Sequence, residues 1–212
     1  MKIYLFDDYD KVNDEVLIDI IRELPEARRS KALRYRTKSD KISCAISYKL
    51  LCYGLRYDYG IGSFSIVANN NEKPYIKEYD HIYFNISHCK YGCACIIADC
   101  NVGIDIQDYR IINDKVIDRV CSVAEKKQLY SSNNKCLEFT KIWAMKEAYL
   151  KMLGVGIAVD LTEIDTSALQ NKIYCKTFDK YVLAVAAEGE IENEKIQLDY
   201  SAEKHLEFTE IL

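Results

Sequence analysis

Val102-Gly103-Ile104-Asp105-Ile106-Gln107 alternates apolar and polar side chains in the manner of a β-strand. The alternation sends Ile104 and Ile106 to one face and Asp105 and Gln107 to the other, so two oxygen donors stand side by side. Some forty residues later, Trp143-Ala144-Met145-Lys146-Glu147-Ala148-Tyr149-Leu150-Lys151 has helical spacing, with Trp143, Glu147 and Lys151 at i, i+4 and i+8 on one face. Taken alone, a Glu and a Lys four apart on a helix form a solvated pair worth a few tenths of a kcal/mol. An aspartate after a strand glycine is ordinarily an edge or turn residue. If the helix packs over the strand, however, Asp105, Gln107 and Glu147 converge as oxygen donors suited to magnesium, which keeps waters and binds substrate phosphates.

Outward from these two segments, the rest of the chain reads as an α+β protein. Downstream of the strand, helices are expected around 113–120 and 124–129, and the long helix is expected over 137–153. Strands over 174–178 and 181–187 flank Asp179-Lys180, a two-residue hairpin turn. Upstream, a strand over 2–6 precedes a helix over 13–22, a basic helix over 26–36 and a core helix over 38–57, whose apolar spacing ends at Gly60 and Gly62. Short strands over 63–68, 82–86 and 93–98 follow as a small antiparallel sheet. The run Tyr181-Val-Leu-Ala-Val-Ala-Ala187 echoes Tyr91-Gly-Cys-Ala-Cys-Ile-Ile97. The expectation is therefore two similar α+β halves, 1–100 and 101–212, packed as an intramolecular pseudo-dimer. No Pro-, Gly- or Ser-rich linker divides them, so they should pack closely, with the site in their cleft.

Composition narrows the function classes. The 212 residues are 49% hydrophobic, enough for a sizeable core. A formal net charge of −4 argues against a protein that grips nucleic acid through a basic surface. Acidic residues interrupt the N-terminal segment Met1-Lys2-Ile3-Tyr4-Leu5-Phe6-Asp7-Asp8 before a long apolar stretch develops, so no signal peptide or membrane span is expected and a cytoplasmic protein is. The nine cysteines include no Cys-x-x-Cys pair and are read as free thiols, with Cys93 and Cys95 as small hydrophobes on one face of a strand.

Gly-Ile-Asp-Ile-Gln followed by Trp-Ala-Met-Lys-Glu-Ala-Tyr-Leu-Lys resembles the paired signatures of the 4'-phosphopantetheinyl transferases. Lys73-Pro74-Tyr75, Phe84-Asn85-Ile86-Ser87-His88 and the spacing from Pro25-Glu26 through Arg34-Tyr35 to Asp40 extend the resemblance over about residues 1–187, which is similar to the longer, two-halved Sfp type. The resemblance implies magnesium ligands at Asp105 and Glu147. Gln107 stands where many relatives carry a third carboxylate. The first half would bind coenzyme A, and the resemblance implies contacts from Arg28, Lys31, Arg36, Lys73, Ser87, His88 and Lys151. Cys89 replaces a serine of the family pattern and removes one strong donor. The resemblance further implies that Glu147, Lys151 and Glu125 serve catalysis, with Glu147 or Glu125 as the base. It implies as partners coenzyme A and an apo acyl or peptidyl carrier protein, with neither nucleic acid nor membrane, and a monomer is expected.

Two rival readings follow from the residues. A small kinase or nucleotidyltransferase would need a phosphate loop, and no Gly-x-x-x-x-Gly-Lys is present. A catalytically impaired relative that only binds coenzyme A or a carrier protein is motivated by Gln107 and Cys89, while Asp105, Glu147 and Lys151 argue against it.

Overall fold

The computed structural model describes residues 1–69, 71–109, 112–156, 159–192, 194 and 196–200. The order of elements is β1 (Lys2–Phe6), α1 (Asp14–Glu23), α2 (Glu26–Arg34), α3 (Lys38–Tyr59), β2 (Ile66–Ala68), β3 (Pro74–Ile76), β4 (Tyr83–His88), β5 (Cys93–Ala98) and β6 (Val102–Asp108). Then come α4 (Asp114–Val120), α5 (Val123–Ser131), α6 (Lys135–Leu153), β7 (Ile173–Thr177), β8 (Tyr181–Ala187) and β9 (Gln197–Asp199). The mixture of helices and mostly antiparallel sheets is the α+β class that the sequence leads one to expect.

Two sheets form the centre. One has the order β4-β5-β1-β9, and the other β6-β8-β7. All six residues of β5 are buried, because it lies between two strands and both of its faces are covered. Cys93, Cys95 and Ile97 pack with Tyr4 and Phe6 into the core beneath α3. Ala94, Ile96 and Ala98 face the other way and meet Ile104, Ile106, Leu183 and Val185 of the second sheet. The opposite face of that second sheet, with Val182, Ala184 and Ala186, packs on Ala144, Ala148 and Met152 of α6. The layers therefore run α3, first sheet, second sheet, α6. Alternation along the strands decides which core each side chain enters, and the two strand cysteines serve as small hydrophobes.

Local signals set the helix ends. Asn13, Thr37 and Asn134 each accept a hydrogen bond from a first-turn amide at the starts of α1, α3 and α6. Glycines with positive φ, Gly60 and Gly154, end α3 and α6. The basic helix stops at Arg34 rather than at 36, since Tyr35 is extended and Thr37 already caps the next helix. Three features depart from the expectations. β2 is only three residues long, β3 pairs with it as a separate ribbon, and β9 returns from the far end of the chain to lie parallel to β1. The first sheet thus contains a strand from beyond residue 101. No helix among the described residues is long and apolar enough to cross a membrane.

Candidate active site

The site starts from a glycine. A Cβ built on Gly103 would lie 2.1 Å from the Ala148 carbonyl oxygen and 2.4 Å from the Met152 amide nitrogen, so only glycine lets the backbone of α6 rest on β6. Gly103, Asp105 and Gln107 share the α6 side of the strand, while Ile104 and Ile106 enter the core between the sheets. Close backbone packing then brings Lys151 onto Asp105: its Nζ donates to Asp105 Oδ1 at 2.6 Å, to Ser87 Oγ at 2.9 Å and to the Ile104 carbonyl at 3.1 Å. The sequence-derived register and helix face are both realised.

Asp105 is 5% exposed. Its Oδ1 accepts from Ser87 Oγ and Lys151, but its Oδ2 is buried without a hydrogen-bond partner, and so is Oε1 of Glu147. Burial first, and the Asp105 charge second, push the Glu147 carboxyl above the ordinary carboxylate range, with Lys151 pulling the other way. Two neighbouring carboxylates with orphaned oxygens are costly unless a cation sits between them. The donor set fits a hard divalent ion completed by water and substrate oxygens, which magnesium prefers. Gln107, half-buried on the same strand face, is the third oxygen donor in reach of that reading. Among the described residues no cluster of three or more His, Cys, Asp or Glu side chains is placed to hold a metal, so any ion there depends on two carboxylates.

The halves meet at this point through side chains. Asn85 Oδ1 accepts from the Ile104 amide at 3.0 Å, and Ser87 Oγ accepts from the Ile106 amide at 3.2 Å. Two polar side chains of β4 thereby stand in for a main-chain ladder along β6. Ser87 is buried and engaged with Asp105, Lys151 and β6, so it braces the carboxylate rather than lining open space.

Beside Lys151 opens a cavity of about 270 Å³ whose lining includes Arg28, Lys31, Pro74, Phe84 and His88. Arg28 stacks its guanidinium over the Tyr48 ring and has its Nε buried without a partner, an unsatisfied donor in a cationic recess. The imidazole of His88 is exposed at the rim, yet the protein packed around it and the charge of Lys151 hold its pKa below the usual histidine value. Four cationic or donor groups facing one cavity suit a polyphosphate. Arg36 is exposed beyond the end of α2 and does not line this cavity. Cys89 is buried in the β4–β5 turn, where the Tyr91 amide donates to its sulfur and burial pushes the thiol up to about 11.

Two further expected site residues, Lys73 and Glu125, also lie away from the cavity. Lys73 sends its ammonium into the C-terminal end of α6 and not into the cavity. Glu125 is 2% exposed and closed into structure. It completes a capping box with Ser122, its Oε1 accepts from the amide and hydroxyl of Thr166, and its Oε2 pairs at 2.5 Å with Lys146, itself 0% exposed. Lys146 also donates to the carbonyls of Val120 and Leu161. With both oxygens engaged and the side chain buried, Glu125 has a structural role in this arrangement and presents no face to the cavity. The Ser122-x-x-Glu125 spacing is the legible signal for this role.

Residues 101–201 match the sequence model of the 4'-phosphopantetheinyl transferase superfamily. Among curated proteins the chain is similar to the 4'-phosphopantetheinyl transferase psf-1 of Bacillus pumilus, 28% identical over 64% of this chain and 60% of the relative. It is also similar to the 4'-phosphopantetheinyl transferase gsp of Aneurinibacillus migulanus, 33% identical over 52% and 48%, and to the 4'-phosphopantetheinyl transferase Sfp of Bacillus subtilis strain 168, 26% identical over 63% and 62%. The matched stretch thus spans about half to three-fifths of the length of these relatives. The carboxylate pair on β6 and α6 and the cationic cavity beside it accompany these matches, and over residues 101–201 the chain is similar to the 4'-phosphopantetheinyl transferase superfamily, with relatives of the Sfp type among the curated proteins it resembles.

Proposed function

We propose that the protein transfers the 4'-phosphopantetheine arm of coenzyme A to a serine hydroxyl of an apo acyl or peptidyl carrier protein, with magnesium, releasing adenosine 3',5'-bisphosphate. The observation that carries this reading is the meeting of two orphaned carboxylate oxygens, on Asp105 and Glu147, with Lys151 at the edge of a cavity lined by Arg28, Lys31 and His88. The names of the similar proteins support the same chemistry. One chain supplies both sides of the site, so the working unit is proposed to be a monomer, acting in the cytoplasm.

In this reading Arg28, Lys31 and His88 bind the phosphates of coenzyme A and fix the pyrophosphate against Lys151. The carrier serine oxygen attacks the β-phosphorus, a new P–O bond forms, and the bond from that phosphorus to the bridging oxygen breaks. Lys151 meets the charge that grows on the phosphoryl oxygens, where a preoriented cation contributes most. Glu147 takes the serine proton, a task suited to a carboxylate whose burial has raised its proton affinity. Asp105 and Glu147 would hold magnesium, with Gln107 as a neutral third donor, and the bound ion would neutralise pyrophosphate charge and orient the reacting groups. Ser87 and the backbone of β6 keep Asp105 and Lys151 in register.

The test follows the mass of an apo carrier protein incubated with coenzyme A, magnesium and the enzyme. A gain of one phosphopantetheine on the serine, lost with Asp105→Ala and with chelator, is expected. Coenzyme A binding without any mass gain on fatty-acid, polyketide or peptide-synthetase carriers would support the binding-only alternative instead.

A further inference from the structure

Lys73 belongs to the turn leading into β3, in the first half, but its side chain crosses to the second. Its Nζ donates to the Met152 carbonyl at 2.6 Å, to Asn101 Oδ1 at 2.6 Å and to the Val102 carbonyl at 3.3 Å. An ammonium has three donors, and here all three have acceptors within the protein. Met152 follows Lys151 directly, and its carbonyl belongs to the last turn of α6, where helical carbonyls lack intrahelical donors and the helix end favours a cation. The lysine methylenes lie over the glycine cap of that helix: a Cβ on Gly154, whose φ is +70°, would sit 3.1 Å from Lys73 Cδ. Asn101 and Val102 mark the place where the chain enters β6. One side chain therefore ties the end of α6 to the start of β6, with Lys151 and Asp105 both within a few residues of the knot. Burial lowers its pKa to about 8, so it carries its charge at neutral pH.

We infer that Lys73 is a positioning residue that fixes the last turn of α6 against β6, and so sets the contact of Lys151 with Asp105, instead of contacting coenzyme A as the family resemblance implies. The inference rests on the transfer reaction proposed above only for its kinetic readout; the anchoring itself is a structural property.

The experiment compares wild type, Lys73→Met, which keeps the length and apolar packing of the side chain, and Asn101→Ala, which removes one acceptor and leaves the lysine in place. The expected result for Lys73→Met is a roughly tenfold fall in kcat with the KM for coenzyme A unchanged within about twofold. Amide hydrogen exchange should become faster in residues 150–154 and stay unchanged in β5. Asn101→Ala should shift both readouts in the same direction and by less. A raised KM for coenzyme A with wild-type kcat and unchanged exchange in the last turn of α6 would overturn the inference and make Lys73 a ligand contact. Absence of transfer by the wild-type protein would sink the proposed function, and the exchange data would still decide the anchoring. If Lys73→Met does not fold, Asn101→Ala decides: wild-type exchange in residues 150–154 of that variant refutes the anchor.

Discussion

Replacing Glu147 by Gln should make the metal-free protein more stable while abolishing its activity. The carboxylate has one oxygen buried without a partner, next to a second carboxylate whose own Oδ2 is also orphaned. A buried unsatisfied polar group costs about 1–3 kcal/mol. Glutamine has the same shape, carries no charge and offers an amide donor toward the Asp105 side. For a chain of this size 1 kcal/mol corresponds to about 2–4 °C in Tm, so in chelator the variant should melt on the order of 5 °C above wild type. The sign with pH is fixed by linkage. The folded-state pKa of Glu147 lies above its ordinary value, so the folded protein holds this proton more tightly than the unfolded chain. Wild-type stability is therefore highest when the group is protonated and falls as pH rises past the ordinary carboxylate value into the raised one. The advantage of Glu147→Gln should be full above the raised pKa, shrink as pH falls from that raised value to the ordinary carboxylate value, and be gone below it. Magnesium should reverse the order, raising the wild-type Tm and leaving the variant nearly unmoved, because binding to the native state stabilises by mass action. Thermal melts of both proteins at neutral and acidic pH, with chelator and with magnesium, test all of this. A variant that melts at or below wild type in chelator, or that responds equally to magnesium, would refute the assignment of Glu147 to the metal pair.

Gln107→Glu adds a third charge on the α6 side of β6 and should lower the magnesium concentration for half-maximal transfer, whereas Gln107→Ala should raise it; coincident magnesium titrations at saturating coenzyme A would show that Gln107 does not face the ion. Glu125→Ala leaves Lys146 buried and unpaired and should cost about 3–5 kcal/mol, read as a Tm loss on the order of 10 °C. A normal Tm with lost activity would return Glu125 to the catalytic set. Gly103→Ala forces α6 off β6 and should destabilise by about 1–3 kcal/mol or more and reduce transfer steeply. Wild-type denaturant midpoint and activity in that variant would contradict the backbone contact on which the site is built.

The strand of Asp105 and the helix of Glu147 and Lys151 were legible because period alone assigns their faces, and β5 and β8 could be read to the residue because continuous apolar runs mark central strands. Two of the three-residue strands, β3 and β9, were not, while β2 was legible only as part of a longer strand. β3 pairs with β2 alone and β9 is added alongside β1 at the edge of its sheet, and Gln197-Leu198-Asp199 has no strand pattern of its own. Lys146 illustrates a second limit. A lysine on a helix reads as solvated, and only the distant carbonyls of Val120 and Leu161 and the Glu125 carboxylate make a fully buried ammonium tenable. The destination of Lys73 was hidden for the same reason: its acceptors lie 28, 29 and 79 residues away, beyond the reach of any local pattern. What the motifs could supply was the list of polar residues near the chemistry, while long-range packing decided which of them face the cavity and which hold the frame.

The order β6-β8-β7 has a consequence for how the protein comes into being. β6 carries Asp105, but its main-chain ladder is made with β8, whose residues are synthesised more than seventy positions later. Away from β8, the β6 backbone is met by side chains, those of Asn85, Ser87, Lys151 and Lys73. Contacts with such separation close slowly, after local helices and hairpins have formed. A nascent chain in which α6 has emerged and β8 has not lacks the main-chain partner that β6 has in the finished fold. A chain truncated before Tyr181–Ala187 would lack the strand that lies between β6 and β7, and is expected to leave Asp105 on a strand without its main-chain partner.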